Sequence, residues 1–205
     1  MTSLDPHVVR PPKQERSRQA WNRALDAGLA LLEDGGLDAV TVSEVCRRSG
    51  MSAPSLYARV DGIAGLVAAV YEHGMEPIRA TEAELSRELP GAGAPVAERV
   101  AGVVGMLAEV FRRHRAFFRP VIAASARDPW IHARGVEESL RSQEALAAAL
   151  ALDERAGRDI AAMVFAEVVV RTMYGGDFSA PSPESEAEFR ARLTRMGVAR
   201  AASAS

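Results

Sequence analysis

The side chains best suited to intermolecular contacts are concentrated between positions 41 and 60, in the run TVSEVCRRSGMSAPSLYARV. Hydroxyl and guanidinium groups donate hydrogen bonds to phosphate oxygens and base edges, and small side chains let a helix enter a groove closely. This chemistry is that of DNA recognition. The candidate DNA-contacting residues in this run are Thr41, Arg47, Ser52, Ala53, Pro54, Ser55, Tyr57, Ala58 and Arg59. For Arg59 we prefer a phosphate contact to a guanine contact, whereas Arg47 fits a solvated helix face equally well.

Two short helices joined by a sharp turn are predicted to position these side chains. Thr41 is a suitable N-cap residue, and Glu44 three positions later completes a capping box. Gly50 suits the left-handed backbone that ends a helix. Ser52 is then a second N-cap residue, with Pro54 tolerated in the first turn that follows. Two short helices joined in this way form a helix-turn-helix, which places its second helix in the DNA major groove.

A basic segment precedes these helices. Five basic residues lie between positions 10 and 23, and Glu15 is the one acidic residue among them. With three prolines before position 15, residues 1–15 are predicted to be a flexible basic arm. We expect Arg10, Lys13, Arg16 and Arg18 to add phosphate or minor-groove contacts, and Arg16 is included among the candidate DNA-binding residues.

Composition and charge exclude several protein classes. The chain has 205 residues, of which 48% are hydrophobic and 25% charged, as in an ordinary globular protein. A formal net charge of -2 argues against a nucleic-acid coat protein. No apolar run is long enough to cross a membrane, and the N-terminus has no secretory signal. The single cysteine, Cys46, excludes an intrachain disulfide and fits the cytoplasm, where we place the protein.

Hydrophobic periodicity predicts an all-α chain of about nine helices, because period-two strand patterns are absent. The organisation predicted is the arm at 1–15, a three-helix DNA-binding domain at 16–62, and a C-terminal helical domain at 63–205. Leu25, Leu29 and Leu32 lie on the inner face of the first helix. The last two helices are predicted at about 153–174 and 183–197.

Aromatic and polar residues of the C-terminal part are candidates for a small-molecule site. The nominated residues are Met106, Phe117, Phe118, Trp130, Phe165, Glu167 and Tyr174. Each apolar residue in this set is also typical of an ordinary core, and the set predicts a mostly apolar effector. Glu167 and Arg171 fit either an i,i+4 ion pair or a polar anchor in a ligand cavity.

Catalytic and metal-binding patterns are not found in the sequence. The four histidines form no ligand-spaced cluster, and with one cysteine a structural zinc site is not expected. Nucleophile–base pairs and phosphate-cradling glycine motifs are also absent. We therefore expect neither an enzyme nor a cofactor.

The N-terminal pattern resembles the DNA-binding domain of TetR-family transcriptional regulators. The resemblance covers about a quarter of the chain and rests on Leu25-Asp26-Ala27, Gly36-Leu37-Asp38-Ala39-Val40-Thr41, Val45-Cys46-Arg47-Arg48-Ser49-Gly50-Met51-Ser52 and Leu56-Tyr57. It implies a homodimer that binds a palindromic, double-stranded DNA operator and represses transcription until a small molecule binds. It also implies that residues 63–205 form an effector-binding and dimerisation domain. Within that domain, the helices at about 153–174 and 183–197 would form the dimer interface.

Two positions depart from the family pattern. Val60 stands where the family commonly has a bulky aromatic residue that ends the recognition helix. Ile63 stands where a lysine usually begins the next helix, so a phosphate contact is lost. These departures, with the small residues of the recognition helix, leave one alternative function. This alternative is a ligand-binding or adaptor protein whose degenerate helix-turn-helix no longer binds DNA.

Overall fold

The computed structural model describes residues 9–10, 15–178 and 182–203. Over these residues it contains nine α-helices, one short 3-10 helix at Leu37–Ala39 and no strand, so the all-α prediction is confirmed. The helices in chain order are α1 (Glu15–Gly35), α2 (Val42–Ser49), α3 (Ala53–Tyr57), α4 (Gly62–Ser86), α5 (Val96–Arg113), α6 (Arg115–Ser125), α7 (Pro129–Leu150), α8 (Glu154–Tyr174) and α9 (Glu186–Ala202).

The chain divides into two compact units. The first contains residues 1–79 and 116–132, and the second contains residues 80–115 and 133–205. Helices α4 and α7 each contribute residues to both units. The boundaries at residues 15 and 62 suggested by the sequence remain predictions.

The first unit is held together by close contacts of α1 and α6 with α4. An added Cβ at Gly28 would lie 2.4 Å from a methyl group of Val70, and one at Gly74 would lie 2.2 Å from the ring of Phe117. These glycines allow helix backbones to approach where a side chain would collide. Tyr71 on α4 packs against the rings of Phe117 and Trp130, with centroid distances of 5.9 Å and 5.5 Å.

The second unit is built around α5, which packs against α8 and α9. Its core includes fully buried Val100, Leu107, Ile160 and Leu193. Helix α9 begins at Glu186 rather than near residue 183. Its N-cap residue is Ser185, which forms a complete capping box with Glu188. The reciprocal hydrogen bonds of this box satisfy two backbone donors, which explains the later start.

Among the described helices, none is both long and apolar enough to cross a membrane. In the same part of the chain, no group of three or more histidine, cysteine, aspartate or glutamate residues is arranged to hold a metal ion.

Candidate nucleic-acid interface

Helix α2 is bounded by the residues that the sequence suggested. The Thr41 hydroxyl accepts a hydrogen bond from the Glu44 amide at 3.2 Å, and Gly50 ends the helix with a φ of 72°. Thr41 is exposed, so its hydroxyl is accessible at the N-terminus of the helix. Amides at such a terminus favour anions, which makes this position suitable for a phosphate oxygen.

The Glu44 carboxylate does not complete the predicted capping box but forms ion pairs with two arginines of the same helix. It accepts hydrogen bonds from Nε of Arg47 at 2.9 Å and from Nε of Arg48 at 3.2 Å. Hydrogen bonds from these two guanidinium groups lower the pKa of Glu44 to about 2. Arg47 is exposed but already paired, so a phosphate group has to compete with Glu44 for it.

Helix α3 presents small and hydroxyl-bearing residues to solvent. Ser52 caps the helix, accepting from the Ser55 amide at 3.4 Å, and the two hydroxyl oxygens lie 2.8 Å apart. Leu56 is fully buried, which fixes the orientation of the helix. Pro54 and Ala58 are exposed. The opposite side of the helix is therefore accessible and, apart from Tyr57, carries only small side chains.

Tyr57 projects from this surface and is 52% exposed. Ala53, at the start of α3, is half-buried. A phenol exposed to this extent does not act as a core residue, and its hydroxyl is available to a hydrogen-bond partner. The surface can therefore offer three hydroxyl groups, from Ser52, Ser55 and Tyr57, to a neighbouring nucleic acid.

Arg59 is held within the chain rather than directed outward. Its guanidinium group donates to the Ser17 hydroxyl at 2.9 Å and to the Arg10 carbonyl at 3.4 Å. Arg59 is only half-exposed. A guanine or phosphate contact by this side chain requires these hydrogen bonds to be exchanged, which favours a positioning role.

Val9 and Arg10, which we call the N-terminal strap, are attached to the segment that follows α3. Val9 forms an antiparallel bridge with Val60, and the Arg10 amide donates to the Arg59 carbonyl at 2.8 Å. The Arg10 guanidinium also pairs with Asp61 at 3.1 Å. The strap was missed in the sequence because its partners lie about 50 positions away. Residues 1–8 and 11–14 of the predicted arm, including Lys13, lie outside the described residues.

Two further basic residues lie in the first turn of α1. Arg16 is exposed, and Arg18 forms an ion pair with Glu15.

Two residues depart from the family pattern. Of these, Val60 is buried, with 1% of its surface exposed, and takes part in the bridge to the strap. Ile63 is 49% exposed at the start of α4. Burial also raises the pKa of the Cys46 thiol, which is consistent with a packing role for this residue.

The residues nominated for a ligand site are divided between the two compact units. Phe117, Phe118 and Trp130 belong to the first unit, where Phe117 and Phe118 pack with a centroid distance of 6.1 Å. The other four belong to the second unit, and they are Met106, Phe165, Glu167 and Tyr174. None of the seven lines the two cavities described below, and their role in ligand binding remains a prediction.

Glu167 and Arg171 do not pair with each other as an i,i+4 pair. Glu167 accepts from Arg192 at 3.1 Å, and Arg171 interacts with Glu184 and Glu186 in the segment leading into α9. Both side chains therefore connect α8 to α9 and the segment before it, because each pairs with an oppositely charged residue there instead of with the residue one turn away on α8.

Each compact unit contains at least one cavity. The first unit contains a narrow apolar cleft lined by residues that include Leu32, Tyr71 and Ile131. The second unit contains a larger cavity, of about 170 Å³, lined by residues of α5, α8 and α9, by Arg115 at the start of α6 and by Gly175 and Gly176. The sequence pattern does not predict the larger cavity, because its lining comes from four separate helices.

Comparison with known proteins identifies the N-terminal domain. Residues 24–70 match the family model of bacterial regulatory proteins of the TetR family. This match identifies residues 24–70 as a TetR-type N-terminal domain. The helix-turn-helix of α2 and α3 lies within the matched residues, and this TetR-family domain is that of a DNA-binding regulator. No curated protein sequence matches the chain.

Solved structures share the TetR-type fold over most of the chain. A proposed transcriptional regulator from Streptomyces coelicolor A3(2) is 20% identical, with a TM-score of 0.69, and the match covers 89% of this chain and 98% of that one. A TetR-family transcriptional regulator from Streptomyces coelicolor is 15% identical, with a TM-score of 0.64 and coverages of 92% and 82%. The multidrug binding protein EbrR, complexed with imidazole, is 18% identical, with a TM-score of 0.61 and coverages of 90% and 96%.

Proposed function

We propose that this TetR-family protein is a transcriptional repressor that binds a palindromic operator as a homodimer and is released by a small-molecule effector. The observation that carries the DNA-binding part is the surface of α3. Its buried Leu56 fixes the helix, while Ser52, Ser55 and Tyr57 are exposed on the other side. Such a helix enters the major groove without steric obstruction from long side chains.

The proposed contacts divide into phosphate and base contacts. Thr41, at the N-terminus of α2, and the hydroxyl of Tyr57 contact phosphate groups. Ser52 and Ser55 contact base edges, and the small Ala53, Pro54 and Ala58 allow the close approach. Arg16 adds a phosphate contact at the margin of this surface, and Arg47 is placed to add another once its ion pair with Glu44 is released. Arg59 supports the interface by binding the strap.

The homodimer is proposed to form through α8 and α9. Met196 on α9 is 39% exposed, and Tyr174 at the end of α8 stacks on Phe178 with a centroid distance of 4.2 Å while both rings are mostly exposed. Apolar surface of this kind marks interaction sites. Sedimentation equilibrium tests this assignment. Met196→Arg is expected to shift the protein towards monomer, whereas substitution of the exposed Arg119 on α6 is expected to leave the dimer intact.

The effector is proposed to act through α4. This helix has residues in both compact units, so a ligand that moves it also moves the helix-turn-helix. The separation of the two recognition helices then no longer matches half-sites about one helical turn apart. Binding of small molecules by a protein of this fold is illustrated by EbrR, which was crystallised with imidazole. We place the regulator in the cytoplasm, with access to DNA.

The test is selection of genomic fragments by the purified protein, followed by salt titration of affinity on the recovered site. We expect a palindromic site whose affinity for the protein falls steeply as the salt concentration rises. Tyr57→Ala should weaken binding to this site, and Tyr57→Phe should weaken it less. Leu140→Ala is the control, since Leu140 is 55% exposed on α7 of the second unit, outside the helices proposed to form the dimer. Equal losses of DNA affinity in the Tyr57→Ala and Leu140→Ala variants would contradict the proposed interface.

One observation favours the alternative of a helix-turn-helix that has lost DNA binding. Ile63 is 49% exposed at the position where the family commonly has lysine, so the first turn of α4 lacks a cationic phosphate ligand. Absence of any enriched fragment at low salt, in the presence and absence of small molecules, would support that alternative. Restoration of DNA binding by Ile63→Lys would identify the missing contact as its cause.

A further inference from the structure

The cavity in the second unit combines an apolar wall with several cationic groups. It encloses about 170 Å³ between α5, α8 and α9. Phe111, Val168 and Phe189 provide apolar lining, and Arg112, Arg115 and Arg171 provide the cations. Phe111 makes an edge-to-face contact with Phe165, at a centroid distance of 5.7 Å. Phe111 and Phe189 are both buried, so the apolar wall is part of the packed core.

Two of the three arginines are already neutralised. Arg171 donates to the Glu186 carboxylate at 3.3 Å and to the Glu184 carbonyl at 2.9 Å, and its guanidinium lies 4.5 Å from the centre of the Phe189 ring. Arg112 donates through two nitrogens to Glu109, at 2.8 Å and 2.7 Å. These pairs fix the geometry of the cavity but leave little capacity for another anion.

Arg115 differs from the other two. Within the described part of the chain its guanidinium group forms no hydrogen bond or ion pair, and the residue is exposed. It stands at the junction of α5 and α6, directly after His114, which ends α5. The cavity thus presents one uncommitted guanidinium group beside two aromatic rings.

We propose that this cavity binds a small organic monocarboxylate. The planar guanidinium of Arg115 matches the carboxylate in a bidentate arrangement, and the aromatic and aliphatic wall accepts the apolar body. A monoanion fits better than a dianion, because Glu186 also lines the cavity. The volume lies below the roughly 300–1,000 Å³ of drug-sized sites, which limits the ligand to a single small ring or a short branched chain.

As an effector site, the cavity rests on the proposed regulator function, whereas ligand binding can be measured without DNA. Isothermal titration calorimetry of the full-length protein with benzoate, benzamide and inorganic phosphate tests the proposal. Benzoate is expected to bind at least about tenfold more tightly than its neutral amide isostere, because a charge-assisted pair is lost in the amide. Phosphate is expected to bind more weakly than benzoate. Equal binding of benzoate and benzamide, or tighter binding of phosphate, would overturn the proposal.

Three variants at exposed arginines make the test specific. Arg115→Gln is expected to weaken benzoate binding at least about tenfold, and Arg115→Lys to weaken it less, because lysine keeps the charge without the bidentate geometry. Arg87→Gln removes the same charge from an exposed position just after α4, outside the cavity lining and outside α8 and α9, and is expected to bind benzoate as the wild type does. Equal losses in Arg115→Gln and Arg87→Gln would show that net charge, not this cavity, determines binding.

Failure of this inference is distinguishable from failure of the proposed function. Operator binding without benzoate binding would overturn the carboxylate site and leave the regulator intact. Benzoate binding in a protein that retains no DNA would support the site and count against the regulator. If both hold, benzoate is expected to release the operator from the wild type, and Arg115→Gln is expected to resist release at the same benzoate concentration.

Discussion

Replacement of Glu44 by glutamine tests whether the ion pairs of α2 restrain a DNA contact. The sequence offers a matched control, because EVCRR at 44–48 is repeated as EVFRR at 109–113. Glu109 accepts hydrogen bonds from the two arginines of its own motif, and these lower its pKa to about 2, as in Glu44. Glu109 lies in the second compact unit, outside the family-matched domain. The two substitutions therefore remove the same charge and the same kind of pairing within a helix in different units, and Glu109→Gln also removes a contact of 3.5 Å with Arg190 on α9.

The acid stability of both variants follows from these pKa values. Each carboxyl has a pKa of about 2 in the folded protein and 4.5 as its ordinary value. A lowered pKa gives stability that is fully present above about pH 4.5 and is lost as pH falls towards 2. In the middle of this window the unfolded chain binds nearly one more proton at each site. Glu44→Gln and Glu109→Gln should each make the free energy of unfolding less dependent on pH between 4.5 and 2, as measured by urea titration.

DNA binding is expected to distinguish the two variants. At neutral pH, Glu44→Gln removes the carboxylate that competes with phosphate for Arg47. One added phosphate contact steepens the plot of log affinity against log salt concentration by about 0.9, or about 1.8 for a dimer that gains one contact at each half-site. Fluorescence anisotropy on the selected operator measures this slope. Glu109→Gln should leave it unchanged, and an unchanged slope in Glu44→Gln would refute the role of Arg47.

Three further predictions concern the packing, cap and strap of the first unit. Gly74→Ala places a Cβ 2.2 Å from the ring of Phe117. After the gain in helix propensity is subtracted, it should lower the free energy of unfolding by up to about 2 kcal/mol. The control Gly105→Ala meets no atom within 4 Å and should raise the free energy of unfolding by about 0.5–1 kcal/mol, and equal effects of the two variants in chemical denaturation would contradict the packing. Ser52→Ala should cost about 1 kcal/mol of stability through loss of the α3 cap, and a cost near zero would show that the cap is dispensable. Arg59→Ala should speed amide hydrogen exchange in the N-terminal strap, and unchanged exchange would show that the side chain does not hold the strap.

The parts of this structure that the sequence predicted are those fixed by local interactions. Thr41, Gly50 and Ser52 bound α2 and α3 because each acts through backbone groups within four residues of itself. The same rule explains the wrong start of α9. The complete capping box of Ser185 with Glu188 sets the start at Glu186, three residues after the predicted start at about 183.

The features that the sequence did not predict depend on residues far apart in the chain. Glu167 is one turn from Arg171, yet its partner is Arg192, 25 positions away. The guanidinium of Arg59 has a hydrogen-bond partner 42 positions away in Ser17. A periodic pattern shows which face of a helix is polar but not which other helix supplies the opposite charge. The carboxylate-binding cavity was missed for this reason.

Sequence specificity in the proposed complex has to arise largely outside direct base contacts. The exposed polar side chains of α3 are hydroxyls of Ser52, Ser55 and Tyr57, and a serine hydroxyl pairs with more than one base. The guanidinium of Arg59, which would read guanine, is instead bonded to Ser17 and the Arg10 carbonyl. Discrimination then depends on half-site spacing and on the shape of the DNA between contacts. Changing the distance between the two half-sites by one base pair should therefore reduce affinity more than most single base substitutions within a half-site. A strict preference for guanine at single positions would show instead that Arg59 leaves Ser17 to contact that base.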